Sequence, residues 1–234
     1  MPGTVHVSKD NRVGQIVFDY PERRNAITAE MWDAIPEAAT ELDADPEVRV
    51  VVMRGAGETA FVAGADISEF ESSRTGARAH EYDERNTRAF SALANLEKPL
   101  IALIHGFCVG GGCAIALTAD LRFAAEDAVF AIPAARLGLG YGVGGLETLV
   151  NVVGLPAAKE IFFTARRFSA DEALKIGLVN RVLPKVDLDA HVAGVAQQIS
   201  QNAPLTLRSA KLTLTQILRS TEQRDVAAMK ASIE

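Results

Sequence analysis

Two segments crowded with glycine and alanine, Gly55-Ala-Gly-Glu-Thr-Ala-Phe-Val-Ala-Gly-Ala-Asp-Ile67 and Gly106-Phe-Cys-Val-Gly-Gly-Gly-Cys113, each follow a run of consecutive apolar residues. Those runs, residues 50–53 within the β-rich stretch 48–53 and residues 99–104, show no polar alternation, so each reads as a strand covered on both faces, as in a parallel sheet packed by helices. Small residues after such a strand let a ligand approach the backbone closely. The second segment also opens an apolar helix over 113–118, whose free N–H groups and dipole favour negative charge. Taken alone, the first segment is explained as well by a plain strand-to-helix loop with Asp66 near the helix start. Two such loops together can aim two N–H donors at one oxygen, which is what an oxyanion hole requires.

The rest of the chain fits one α/β domain. A β-rich run at 13–18 precedes a helical stretch over about 28–42 carrying Met31, Ile35 and Leu42, and a charge-rich segment over 71–88 leads through a helix to the second buried strand. Short strands follow near 121–124 and 128–130. Ser169-Ala-Asp-Glu172 matches the capping-box pattern, with Gly177 placed to stop that helix. Beyond Pro184 the pattern is helical only, over roughly 188–200, 205–219 and from Thr221 onward. At 234 residues, with 48% hydrophobic and 23% charged, the chain can build a sizeable core, and disorder or repeat arrays are disfavoured. A net charge of -6 leaves no basic excess for nucleic acid or anionic lipid, and no apolar run is long enough to span a bilayer. Cys108 and Cys113 form neither a disulfide framework nor a zinc ribbon, so a reducing cytoplasm is expected.

Three further motifs, Phe61-Val-Ala-Gly-Ala-Asp-Ile67, His105-Gly-Phe-Cys-Val-Gly-Gly-Gly112 and Arg167-Phe-Ser-Ala-Asp-Glu-Ala-Leu-Lys-Ile-Gly-Leu-Val-Asn180, together with Pro21-Glu-Arg-Arg-Asn-Ala26, resemble the crotonase superfamily, the enoyl-CoA hydratase/isomerase group. Order and spacing agree from about Val13 to Ile233. The resemblance implies a spiral of ββα units with a helical C-terminal region, assembled as a homotrimer or a dimer of trimers, and a site for acyl-coenzyme A thioesters. Residues 1–185 would form the α/β core, and 186–234 a helical region of the same domain that serves trimerisation. By position, the N–H groups of Ala65 and Gly111 would hold the thioester oxygen. Ala63, Ala65, Asp66, Ile67 and Ser68 would line the adenine and pantetheine, with Arg23 or Arg24 near the phosphates. Coenzyme A enters as part of the substrate, with no separate cofactor. The family continues past the position of Glu234 with a last helix, so the chain is either short or stops before it.

The departures from the pattern bear on the chemistry. Hydratases of the family handle water with two glutamates, and those positions here read Ala114 and Ala134. Alanine transfers no proton, and each lost general acid or base forfeits about 10²–10⁴-fold in rate. The family's isomerases place their acid/base at the second of these positions, which is also alanine here. Tyr141 stands in the loop beside the expected acyl site, in a segment similar to methylmalonyl-CoA decarboxylase, where a tyrosine lies at the acyl pocket; that enzyme's histidine at the position of Ala65 is absent. A phenol can donate a hydrogen bond or a proton, and the alternative role is a pocket wall. A decarboxylase or another enolate reaction therefore suits the chain better than hydration by the usual pair. Enoyl-CoA hydration with non-standard residues and non-catalytic acyl-CoA binding stand as alternatives.

Other chemistries fit less well. Gly140-Tyr-Gly-Val-Gly-Gly145 matches G-x-G-x-x-G, but Pro133-Ala-Ala-Arg136 stands where a dinucleotide site needs a buried strand. His6, His80, His105 and His191 lack metal-ligand spacing, and no serine lies in a nucleophile elbow. Asp66, Glu69 and Glu147 are the nearby carboxylates, explained more simply as caps and surface charge.

Overall fold

The computed structural model describes residues 2–66 and 77–233. The chain opens with β1 (Thr4–Asp10) and β2 (Val13–Asp19), paired antiparallel with Asp10 opposite Val13. Their two-residue connection, Asn11 and Arg12, has positive φ at both positions, the geometry that matches the twist of a hairpin. β1 escapes the sequence reading because it is an edge strand whose polar side chains stay exposed. α1 (Ala29–Ala44) follows, capped by Thr28, whose side chain accepts from the Met31 N–H.

From there each turn of the chain contributes one strand to each of two sheets and then a helix. β3 (Val50–Gly55), β5 (Leu100–Ile104), β7 (Leu121–Ala125) and β10 (Arg181–Leu183) extend the large sheet in parallel, in the order β1-β2-β3-β5-β7-β10. β4 (Ala60–Val62), β6 (Phe107–Val109), β8 (Val129–Ala131) and β9 (Phe168–Ser169) form a small sheet in that order. The intervening helices are α2 (Ala77–Ala94), α3 (Gly111–Leu117), α4 (Ala134–Leu137) and α5 (Val143–Thr164), the last kinked at Gly154. This is the expected spiral of ββα units. β3 starts two residues later than the β-rich stretch at 48–53, and 60–62 and 107–109, read from the sequence as loop, are strands. Segments of two or three residues have no period to reveal them.

The unbroken apolar character of the β3 run has a direct cause. Val51 and Met53 face the main core, with Trp32, Ile35 and Leu42 of α1. Val50 and Val52 face the other way, and α7 (Lys185–Ser200) lays Leu188, Val192 and Ala196 on them together with Ile101 and Leu103. α6 (Ala170–Lys175) carries the capping box, Ser169 and Glu172 each bonding the other's backbone N–H, and Gly177 has φ of 76°. α8 (Pro204–Ile217) is pinned by Lys211, which donates to Asp120 at 2.8 Å and to the Lys98 carbonyl at 3.0 Å. The helix expected from Thr221 onward is divided: a 3₁₀ turn at Thr221–Gln223 and α9 (Val226–Ala231) are separated by extended backbone at Arg224.

Candidate active site

The two glycine- and alanine-rich segments meet. Asn25, in a left-handed conformation, turns its side chain inward, accepting from Tyr20 N–H and donating to the carbonyls of Ala56 and Ala60. This fixes the strip 24–27 alongside 63–66. Ala63 N–H then donates to the Arg24 carbonyl at 3.1 Å, Ile27 N–H to Gly64 at 2.9 Å, and Asp66 N–H to Ile27 at 3.0 Å. In such a parallel bridge the residue between the two bonds aims its own N–H the opposite way, so the Ala65 amide faces away from Ile27.

What it faces is the start of α3. A β-carbon built on Gly111 would stand 3.8 Å from the Ala65 nitrogen, which puts the two backbones within reach of one ligand atom. Gly111 is the first residue of α3, so its N–H has no acceptor within the helix. The approach depends on Gly64, at φ of 113°, and Gly110, at φ of 54°, conformations that side chains rarely adopt. Behind Gly111 lies the Trp32 ring, whose Cζ2 would be 3.4 Å from that β-carbon. Two amides close together, one of them at a helix start and beside an aromatic ring, are the kind of donors that an oxyanion requires.

Of the residues named from the sequence, Ala65 and Gly111 are thus brought together, with Ala63 and Asp66 on the same strip. Arg24 lies over the Phe107 ring, 4.5 Å from its centroid, while Arg23 is exposed in the preceding 3₁₀ turn. Ile67, Ser68 and Glu69 lie outside the described residues. Ala114 sits half-buried on α3 and Ala134 is buried at the start of α4. Tyr141 is half-buried, its ring set edge-on to Phe162 with centroids 4.9 Å apart. Glu147 is exposed on α5.

Side chains that adjoin these residues without a role read from the sequence are Trp32, beside Gly111, and Phe107 and Arg167, beside Arg24. Trp32 reads as an ordinary core position of α1, and Arg167, 5.9 Å from the Phe107 centroid, comes from a remote segment that no spacing connects to it. Both thiols are buried. Burial pushes Cys108 well above its ordinary value, and Cys113 Sγ donates to the Cys108 carbonyl at 2.9 Å. Gly142 is the N-cap of α5 and Gly144 and Gly145 lie in its first turn, and the element directly before them is α4 where a dinucleotide site needs a strand. Among the described residues no cluster of His, Cys, Asp or Glu could hold a metal ion.

The model of the Enoyl-CoA hydratase/isomerase family matches residues 8–233. The chain belongs to that family. Its fold is that of the crotonase superfamily. It is 38% identical over 207 residues to a short-chain-enoyl-CoA hydratase of Clostridium acetobutylicum, covering 88% of this chain and 79% of that one. It is 34% identical to a peroxisomal Delta(3,5)-Delta(2,4)-dienoyl-CoA isomerase of Arabidopsis thaliana, covering 93% and 81%. Among solved structures, an enoyl-CoA hydratase/carnithine racemase from Magnetospirillum magneticum superposes with a TM-score of 0.93 at 32% identity, covering 98% of this chain and 86% of that one. The family thus includes chains named for at least two reactions, so membership identifies an enzyme of the hydratase/isomerase group without fixing its reaction. Among the described residues no helix is long and apolar enough to cross a membrane.

Proposed function

We propose that the protein is an acyl-CoA enzyme that holds a thioester oxygen between the N–H groups of Ala65 and Gly111 and stabilises the enolate formed there. The observation that carries this reading is the 3.8 Å approach of the Gly111 β-carbon position to the Ala65 nitrogen. Each such donor contributes about 10²–10³ in rate because it meets charge that develops only during reaction. Arg23 or Arg24 would take the coenzyme A phosphates, and Ala63, Asp66, Ile67 and Ser68 would line the rest of the nucleotide and pantetheine.

Loss of carbon dioxide from a 2-carboxyacyl thioester fits the residue set best. The C–C bond breaks, its electron pair becomes the enolate held by the two amides, and protonation at carbon gives the acyl thioester. Tyr141, or water, would supply that proton. Hydration needs a group that activates water, and neither Ala114 nor Ala134 can do so. The names of the similar hydratases favour the second reading, hydration by residues other than the usual pair.

Turnover measured against a panel containing methylmalonyl-CoA, other 2-carboxyacyl thioesters and crotonyl-CoA separates the readings. Decarboxylation faster than hydration supports the first and the reverse supports the second, while tight binding without turnover leaves a non-catalytic acyl-CoA binder. We further assign a homotrimer or dimer of trimers, supported by exposed Leu205, Leu214, Ile217 and Leu218 on and just after α8. A cytoplasmic location is supported by two free buried thiols.

A further inference from the structure

Trp32 is the one tryptophan of the chain, and it is almost wholly buried behind Gly111. Its edge atoms Cζ2 and Cη2 would lie 3.4 and 3.6 Å from a β-carbon on that glycine, so the indole is the surface against which the start of α3 rests. Three contacts orient the ring. α1 holds its backbone, Phe90 of α2 meets it edge-on with centroids 5.4 Å apart, and its Nε1–H donates to the Tyr82 hydroxyl at 3.3 Å. Of these, the hydrogen bond is the directional one: it selects the χ2 orientation that brings Nε1 to Tyr82 and leaves Cζ2 and Cη2 toward Gly111. Tyr82 is 7% exposed, so loss of its hydroxyl would leave a buried indole N–H without that acceptor.

We propose that Tyr82 is a positioning residue: through Trp32 it sets the place of the Gly111 N–H, and so the strength of the oxyanion pocket. The proposal rests on the thioester reading above. Tyr82 touches no reacting atom. It belongs to α2, the first described helix after the strip that ends in Ala65 and Asp66, and reaches the other side of the pocket through Trp32. A donor displaced by a fraction of an ångström loses its alignment with an oxygen that carries charge only in the transition state. The loss should therefore fall on turnover rather than on binding.

The single tryptophan makes this testable without relying on activity, since excitation at the red edge of the protein band reports Trp32 alone. Crotonyl-CoA and methylmalonyl-CoA are the probes, with binding measured independently by equilibrium dialysis. In the parent, a bound thioester should shift or quench Trp32 emission, whereas coenzyme A without an acyl group should not. Tyr82→Phe, which removes only the hydroxyl, should change the unliganded emission and lower kcat by about fivefold or more, with KM within about twofold. Tyr82→His, retaining a group able to accept, should recover part of both.

A thioester that dialysis shows to be bound but that leaves Trp32 emission unchanged would overturn this proposal and leave the thioester reading intact. So would a Tyr82→Phe protein with the parental kcat, or one whose kcat and KM deteriorate together with its melting temperature. Absence of thioester binding in the parent would sink both. Trp32→Phe keeps an aromatic floor without the N–H and should resemble Tyr82→Phe in its kcat and KM.

Discussion

Gly112 rests against Val62: a β-carbon on the glycine would fall inside the contact radius of the Val62 carbonyl oxygen. This contact seats α3 on β4 and thereby sets the height of Gly111 relative to Ala65. Gly112→Ala should destabilise the fold by about 1–3 kcal/mol, the usual cost of overpacking where backbone must move. Gly144→Ala, at a position with nothing within 4 Å, is the control and should change stability little. Urea midpoints of the two variants check the contrast, and an unperturbed Gly112→Ala protein would show that α3 is not seated this way.

The pair of loops was visible in the sequence because glycine and alanine density after a doubly apolar strand has few uses. That Ala65 and Gly111 are the two residues that meet came from the family resemblance and not from spacing, since they are far apart in the chain and the bridge from Ile27 to Ala65 is what turns one amide toward the other. The two-sided burial of β3 was legible from Val50-Val-Val-Met53, although the covering partner, α7, gives no local sign of which sheet it will find. β4 and β6 were read as loop because three residues, Ala-Phe-Val in one and Phe-Cys-Val in the other, are too few to show an alternation. Tyr82 and Trp32 were hidden for another reason: a hydrogen bond between two helix faces leaves no periodicity.

Asp189 on α7 joins two groups of the sheet ends. Its carboxylate accepts from Arg54 Nη1 at 2.5 Å and from His105 Nε2 at 2.5 Å, and the other His105 nitrogen is buried without a partner. Burial alone would raise the Asp189 pKa, but the His105 hydrogen bond and the Arg54 charge outweigh it and hold the group below its ordinary value. A carboxylate with a depressed folded pKa contributes stability above its unfolded pKa of about 3.9, and that contribution disappears as pH falls through the folded value. Asp189→Asn should therefore lower the urea midpoint at pH 7, with the parent and variant converging in strong acid. Because Asp189 is half open to solvent, the loss at pH 7 should lie near the low end of about 1–3 kcal/mol. A difference that persists undiminished through the acid range would contradict the assignment.

Crotonyl-CoA hydration should be slow, since Ala114 and Ala134 leave both expected carboxylate positions empty of any acid or base. Restoring them tests the point directly. Ala114→Glu is accommodated at a half-buried position of α3, whereas Ala134→Glu must place a carboxyl at a site that is 2% exposed and will cost some stability. The double variant should hydrate crotonyl-CoA at least about 10²-fold faster than the parent, the lower end of what one general acid or base contributes. Efficient hydration by the parent itself would mean that another group moves the protons, and a set of carboxylate-to-amide variants beginning with Glu147 would locate it.

Tyr141 is the remaining candidate for the proton. It stands just before α5, where Phe162 braces its ring edge-on and the bare Gly145 leaves room beside it. Bracing suits either role, a wall of the acyl pocket or a hydroxyl held toward the substrate, and the two differ in one atom. Tyr141→Phe keeps the ring and the Phe162 contact while deleting that atom. If the hydroxyl donates to the enolate or the leaving group, turnover of the true substrate should fall by about tenfold or more with KM largely retained, the pattern of an interaction made mainly in the transition state. Steady-state kinetics on the thioester processed fastest in the panel decides it. Parental turnover in Tyr141→Phe would leave the residue as a wall and assign the proton to water.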